Sequence, residues 1–151
     1  MNPKYDMFLS GMEVLVNPVN CFGACGKGLA LQFKSKFPAA TKAYIADCKY
    51  HKRYKPGICI LYKENNTYIA NLATENHWRD GAKEKWISES LKNLRHIMKT
   101  HHFSSVAIPR IGCGLGGLNW NKIRPLILKE LEGVPFTIWL DGEIIPPAIK
   151  N

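Results

Sequence analysis

The sequence predicts an α/β domain of three layers, α/β/α, with a mixed, mostly parallel central sheet, and we expect residues 1–151 to form this single domain. Two observations predict it. Short apolar strands alternate with helical patterns along the chain, and two of the strand-to-helix junctions carry glycine-rich loops. Loops of that kind hold ligands at the carboxyl ends of parallel strands. With 151 residues the chain is long enough to bury a substantial core.

The first junction has the order strand, glycine loop, helix. Residues 14–16 end an apolar strand, Gly23, Gly26 and Gly28 follow, and residues 29–33 begin a helix. Glycines let the backbone approach a ligand closely, and the N–H groups at a helix N-terminus attract an anion. The spacing matches neither the dinucleotide fingerprint nor the Walker loop. Alone, this loop is a weak signal of phosphate binding.

The second junction repeats the arrangement far along the chain. Residues 105–108 form an apolar strand, a loop with four glycines follows, and residues 121–131 form a helix with Asn119 as its N-cap. Two such junctions in one small chain predict two walls of a single crevice. A diphosphate has two anionic groups that two walls would hold.

The remaining pattern supplies the other elements. The predicted helices are 29–36, 39–48 and 85–101, and the further predicted strands are 13–16, the hairpin 58–62 and 67–72, and 136–140. The helix 85–101 has the clearest apolar period of the chain. We also expect the end of a first strand at residues 5–8 and a long polar and aromatic loop at 74–82.

The composition favours an acidic partner. The net charge is +9, from 21 Lys and Arg against 12 Asp and Glu, which suits a nucleotide or a nucleic acid. The basic and aromatic segments 49–55 and 78–79 suit a nucleic acid strand, and a solvated surface loop is the alternative for both. There is no secretory signal and no apolar run long enough to cross a membrane, so we expect a cytoplasmic protein.

The five cysteines predict free thiols. Their number is odd, no C-x-x-C pair occurs, and Cys21 and Cys25 have no companion pair at zinc spacing. Three of the five lie in the glycine loops, where small apolar packing is favoured over a catalytic thiolate. We therefore expect no metal and no cofactor. The sequence does not predict the oligomeric state.

The two loops resemble those of the macrodomain family. The nearest matches are VNPVNCFGACGKGLALQFK at 16–34, TENHWR at 74–79 and IPRIGCGLGGLNW at 108–120. Their sequences most resemble those of the branch that contains the DarG antitoxin macrodomain and the human terminal ADP-ribose glycohydrolase. The resemblance spans residues 5–140. It implies the macrodomain fold, ADP-ribose as ligand, and hydrolysis of ADP-ribosyl adducts on nucleic acid or protein.

The same resemblance assigns binding residues one position at a time. Asp6 matches the adenine-binding acid, Trp139 flanks the adenine, and Asn20 matches the asparagine that contacts the distal ribose. The implied ADP-ribose contacts are Asp6, Met7, Asn17, Asn20, Gly26, Lys27, Gly28, Leu29, Ala30, Thr74, Pro109, Ile111, Gly112, Cys113, Gly114, Leu115, Gly116, Gly117 and Trp139. Structural roles are the alternatives: a turn for Asn20 and ordinary core for Trp139. Lys27 either meets the ligand or points to solvent, and Arg110 either meets it or pairs with an acid.

One departure from the family bears on catalysis. In the glycohydrolases of this branch a lysine follows the threonine at the end of the central strand, whereas here Thr74 is followed by Glu75. The second loop also has Gly116 where the human enzyme has an aspartate. A carboxylate cannot form the imine-type adduct of an amine. The resemblance therefore implies a changed route, in which Glu75 or His77 acts as general base on a water held near Asn20.

Two other activities stay open at this point. One is a phosphatase acting on ADP-ribose 1″-phosphate, an activity known in macrodomains. The other is a reader that binds ADP-ribosyl groups without turning them over, because the binding loops are complete while the usual catalytic lysine is replaced.

Overall fold

Six strands form one mixed sheet at the centre of the molecule. The computed structural model describes residues 2–148. The strands are β1 (Val14–Val19), β2 (Cys59–Glu64), β3 (Thr67–Ala73), β4 (Ser105–Ile108), β5 (Thr137–Leu140) and β6 (Glu143–Ile145). Their order is β2-β3-β1-β4-β5-β6. The three central pairings are parallel and the two edge pairings are antiparallel, which confirms the predicted sheet.

Four helices cover the two faces of this sheet. They are α1 (Gly28–Lys36), α2 (Pro38–Lys49), α3 (Glu84–Thr100) and α4 (Trp120–Glu130). Helices α1 and α2 lie on one face, and α3 and α4 pack on the other. The predicted α/β/α layers are therefore confirmed.

The alternation of side chains along each strand explains the two cores. Val14 and Val16 join the core beneath α3 and α4, while Leu15 between them faces the core beneath α1. Successive side chains of a strand point to opposite faces, so a strand covered on both faces is apolar throughout. On α3 the predicted period holds, because Ile87, Leu91, Leu94 and Met98 are fully buried.

The expected strand at residues 5–8 is wrong. The chain forms two 3-10 turns there, Pro3–Tyr5 and Met7–Leu9. The side chain of Asn2 accepts the N–H of Lys4, and that of Asp6 accepts the N–H of Phe8, both at 3.0 Å. Such local bonds compete with strand pairing.

The edge strand β6 was not predicted. It pairs with β5 across a turn at Asp141 and Gly142, whose φ angles are +48° and +88°. An Asp-Gly pair between apolar residues is a known hairpin signal, so the sequence does carry the information for this strand. Within residues 2–148, no helix is long and apolar enough to cross a membrane.

Candidate functional site

The carboxyl ends of the parallel strands open into a cleft of about 1080 Å³. Both glycine loops line it, with the residues that follow β3 between them. The lining residues are Pro18, Lys27, Gly28, Leu29, Ala30, Gln32, Thr74, Glu75, Pro109, Arg110, Gly112, Cys113, Gly114, Leu115, Gly116, Leu118, Asn119, Trp120 and Asn121. The two glycine loops are thus two walls of one crevice, as the sequence predicts.

The first wall is the N-terminus of α1. Lys27 stands at the N-cap with extended backbone, and no side chain caps this end of the helix. Gly28, Leu29 and Ala30, whose N–H groups belong to the first turn, line the cleft. An uncapped N-terminus carries partial positive charge, to which the exposed Lys27 ammonium adds. This wall therefore suits an anionic group.

The second wall is a loop folded tightly on itself. A Cβ on Gly116 would lie 2.7 Å from the carbonyl oxygen of Gly112 and 3.0 Å from Cβ of Ala82. Gly112 has φ +74°, and a Cβ there would come within 3.0 Å of Ile87. A side chain at Gly112 would push the loop away from α3, and one at Gly116 would push it away from Ala82 and open its own fold. Glycine is required for this wall to lie where it does.

The segment between Thr74 and Ala82 connects the two walls. The Cys21 N–H of the first loop donates to the carbonyl of Asn76 at 2.9 Å, and the Ala82 N–H donates to the carbonyl of Gly116 at 3.1 Å. Glu75 and Ala82 pair as an isolated antiparallel bridge. The predicted long loop is therefore a fixed floor that holds Glu75 inside the cleft.

Glu75 is a half-buried acid in this floor. Burial raises the pKa of its carboxyl group above the ordinary value. Within residues 2–148 no hydrogen bond or ion pair holds its carboxylate. Beside it, Thr74 is buried, and its Oγ1 atom has no partner in the same part of the chain. The Glu75 carboxylate is thus an acidic group of the cleft that can meet a ligand or a water.

His77 lies outside the cleft lining. Its ring sits between Phe22 and Trp78, with centroid distances of 4.9 and 5.1 Å. Its Nδ1 atom accepts the Arg79 N–H at 3.1 Å, which places the ring proton on Nε2 in the neutral form. Of the two general bases implied by the resemblance, the structure brings Glu75 to the cleft and His77 to its outer rim.

Asn20 shapes the first loop. Its Nδ2 donates to the Ala24 carbonyl at 2.8 Å, and its Oδ1 accepts the N–H groups of Phe22 and Ala24 at 2.9 and 3.2 Å. The Tyr44 hydroxyl lies 2.8 Å from the Asn20 carbonyl oxygen. Asn20 is buried and does not line the cleft. Its contact with a ribose stays a prediction.

Other assigned residues also lie outside the lining. Met7 and Trp139 are buried in one apolar cluster, and Ile111 is fully buried in the core beneath the second loop. Asp6 caps the 3-10 turn that follows it. The assigned contacts that do not line the cleft are Asp6, Met7, Asn17, Asn20, Gly26, Ile111, Gly117 and Trp139.

Arg110 is paired, whereas Lys27 is exposed at the cleft. Arg110 Nε lies 2.9 Å from Asp141 Oδ2, and its guanidinium lies 5.5 Å from the ring centroid of Trp120. Trp120 and Asn121 line the cleft although no binding role was assigned to them. The predicted N-cap at Asn119 was the sequence signal that could have identified these two lining residues. A helix that begins directly after the second loop places its first turn at the crevice.

The cysteines act as small apolar groups. All five are free thiols. Burial raises the pKa of Cys21 to about 11 and also raises the pKa of Cys113, so both are protonated at neutral pH. In residues 2–148 no group of three His, Cys, Asp or Glu side chains is placed to hold a metal ion.

Comparison with known proteins identifies the fold. A family model, the Macro domain, matches residues 16–127. The chain belongs to the macrodomain family. This macrodomain is 36% identical to a DNA ADP-ribosyl glycohydrolase of Thermus aquaticus, over 93% of this chain and 40% of that protein. The chain spans about two fifths of the length of the curated relatives it matches first.

Solved structures agree with this assignment. The macrodomain of Mycobacterium tuberculosis DarG has a TM-score of 0.86 at 31% identity, covering 89% of this chain and 91% of that one. Thermosipho africanus DarTG in complex with ADP-ribose has a TM-score of 0.84 at 31% identity, covering 89% of this chain and 39% of that one. The resemblance to the DarG branch is therefore confirmed.

Proposed function

We propose that this macrodomain binds ADP-ribose between its two glycine loops and removes it from ADP-ribosylated DNA by hydrolysis. The observation that carries the proposal is that both loops line one cleft, with Glu75 in its floor. Among the described residues 2–148, no side chain or backbone group pairs with the Glu75 carboxylate. The names of the relatives support the substrate: the Thermus aquaticus protein is a DNA ADP-ribosyl glycohydrolase, and the Thermosipho africanus structure contains ADP-ribose.

The diphosphate lies between the two walls. On one side are the uncapped N-terminus of α1 and the Lys27 ammonium. On the other side is the second loop, in which no side chain blocks a ligand at the three positions Gly112, Gly114 and Gly116. Backbone N–H groups and a helix N-terminus bind phosphate oxygens without a metal.

The distal ribose points toward Thr74 and Glu75, the polar side chains of the cleft floor. Glu75 acts as general base on a water. The carboxylate takes a proton as the water oxygen bonds to the anomeric carbon. The bond from that carbon to the DNA base breaks, and its electron pair leaves with the base. The protonated Glu75 then gives its proton to the departing base, which restores the carboxylate and completes the addition of one water. Burial favours this role because a raised pKa makes Glu75 a stronger base than an exposed carboxylate.

Glu75 also separates this reaction from phosphatase activity. ADP-ribose 1″-phosphate carries an additional anion at the distal ribose, next to a carboxylate with no cation paired to it in the part of the chain that the structure describes. The repulsion opposes that substrate. A nucleobase attached to the distal ribose carries no such charge.

Turnover assays with three proteins test the proposal. Wild type, Glu75→Gln and Glu75→Lys are incubated with ADP-ribosylated single-stranded DNA and, separately, with ADP-ribose 1″-phosphate. We expect wild type to release ADP-ribose from DNA, and Glu75→Gln to lose about 100-fold or more of that rate while calorimetry shows unchanged ADP-ribose affinity. Phosphate release would favour the phosphatase. Binding without turnover would favour a protein that only binds ADP-ribosyl groups. A higher glycohydrolase rate in Glu75→Lys than in wild type would show that wild type lacks the lysine-dependent route.

A further inference from the structure

Two exposed aromatic rings, with a half-buried histidine ring between them, lie beside the cleft. We name Phe22, His77, Trp78 and Arg79 the aromatic ladder. Phe22 is 51% exposed and Trp78 is 50% exposed. The His77 ring contacts both, and the Arg79 guanidinium lies 4.9 Å from the Trp78 ring centroid. Side chains of this size expose so much apolar area together mainly where a partner covers them.

The ladder is fixed next to Glu75. Phe22 belongs to the first glycine loop, and the hydrogen bond from Cys21 to Asn76 ties that loop to the segment that carries the other rings. Trp78 follows Glu75 by three residues, so their Cα atoms are at most about 11 Å apart. That distance corresponds to roughly three stacked nucleotides of one strand. A strand with its adducted base at Glu75 therefore passes the ladder within a few nucleotides.

The chemistry of the ladder fits nucleobases. Every base has a π-face that stacks on an aromatic ring regardless of sequence, and an arginine adds cation–π attraction and a phosphate contact. The end of α2 packs on the same loop, because a Cβ on Gly23 would lie 3.4 Å from Cα of Ile45. Two exposed lysines lie at this end of the helix, Lys49 as its last residue and Lys52 just beyond it. With a net charge of +9, the surface complements a polyanion.

We propose that the aromatic ladder stacks the unpaired bases that flank the ADP-ribosylated nucleotide of single-stranded DNA. The inference rests on the proposed function, since it assumes an adduct in the cleft. In a duplex the bases are already stacked on one another and cannot reach the rings. The ladder therefore sets a preference for single-stranded over duplex DNA and over an isolated ADP-ribosylated nucleotide.

Binding to four probes tests the ladder. The probes are a single-stranded oligonucleotide with one ADP-ribosylated base, its duplex, the ADP-ribosylated mononucleotide, and free ADP-ribose. We expect Trp78→Ala and Phe22→Ala each to weaken binding of the single strand roughly 5- to 150-fold, with the other probes changed less than twofold. Trp78→Phe keeps a ring and most of the affinity. The control variant is Ile144→Ala, which shortens an exposed apolar side chain on β6. We expect it to bind all four probes with wild-type affinity.

The failures are distinguishable. If wild type binds free ADP-ribose but Trp78→Ala and Phe22→Ala bind the single strand normally, the ladder is overturned and the cleft assignment stands. Equal affinity of wild type for single strand and duplex also overturns the ladder. Weaker binding of an ADP-ribosylated peptide by the same two variants would also overturn the ladder, because the surface would then bind a protein substrate. Absence of ADP-ribose binding by wild type is failure of the proposed function.

Discussion

The side chain of Leu115 lies over Gly28, with its Cδ1 atom 3.4 Å from the position that a Cβ would occupy on that glycine. Gly28 begins α1 in the first loop, and Leu115 is an exposed residue of the second. The two loops therefore touch across the cleft with no other element between them. This close approach requires glycine at position 28 for a second reason as well, because its φ of +58° is an angle that other residues rarely adopt.

The first prediction concerns Gly28→Val. A β-branched residue at positive φ costs about 1–2 kcal/mol, and its side chain would enter the space beside Leu115. We expect the free energy of unfolding to fall by that amount and ADP-ribose affinity to fall at least tenfold, as measured by chemical unfolding and calorimetry. The comparison is Gly26→Ala, whose Cβ meets nothing within 4 Å. If Gly28→Val bound ADP-ribose with wild-type affinity, the N-terminus of α1 would not be part of the diphosphate site.

The second prediction concerns pH and Glu75. Because burial raises the pKa of this carboxyl, the folded protein binds the proton more tightly than the unfolded chain does. The ionised carboxylate thus lowers stability above the folded-state pKa, and this cost disappears as the pH falls below the unfolded value of about 4.3. We expect Glu75→Gln to be more stable than wild type to urea at pH 7 and equal to it near pH 3.5.

The control for that experiment is Glu132→Gln, a change at an exposed acid remote from the cleft lining. It should leave the urea midpoint unchanged at both pH values. In turnover assays, wild-type activity on ADP-ribosylated DNA should decline as the pH falls through the Glu75 pKa, since the base must be ionised. An activity that stays constant through that range would contradict the general-base role.

The third prediction separates two roles for Asn20. Tyr44→Phe removes a hydroxyl that holds Asn20 but does not line the cleft. If Asn20 acts by shaping the loop, Tyr44→Phe lowers stability by about 1 kcal/mol and weakens ADP-ribose binding a few fold, and Asn20→Ala has a larger effect on both. Full affinity in Tyr44→Phe together with lost binding in Asn20→Ala would instead mean direct contact with the ligand. Calorimetry with both variants decides.

The fourth prediction concerns the buried acid Asp47. Burial alone would raise its pKa, but hydrogen bonds from His51 and Tyr62 and the nearby charge of Arg53 lower it below the ordinary value. The stabilisation is present above the unfolded-state pKa, about 3.9, and is lost as the pH falls through the lower folded-state value. We expect Asp47→Asn to cost about 2 kcal/mol at pH 7.

The check is urea unfolding at two pH values. The gap between wild type and Asp47→Asn should narrow steadily as the pH falls below 3.9. A gap that stays the same at low pH would mean that packing, and not the carboxylate charge, makes Asp47 important.

Periodicity and glycine spacing predicted most of this fold. The apolar steps of α3 and the two strand–glycine–helix junctions rest on side-chain patterns, and patterns of that kind are visible in one sequence. The floor of the cleft is different. It is held by backbone bonds such as the one from Cys21 to Asn76, which every residue type except proline can donate. The contact of Phe22 with His77, 55 positions later, likewise has no local signal.

A crystal structure of the protein with ADP-ribose tests the central claim most directly. We predict the diphosphate between the N-terminus of α1 and the loop of Gly112–Gly116, with the anomeric carbon of the distal ribose facing Glu75 across one water. A diphosphate held by one loop alone, or an adenine in place of the distal ribose beside Glu75, would contradict the account.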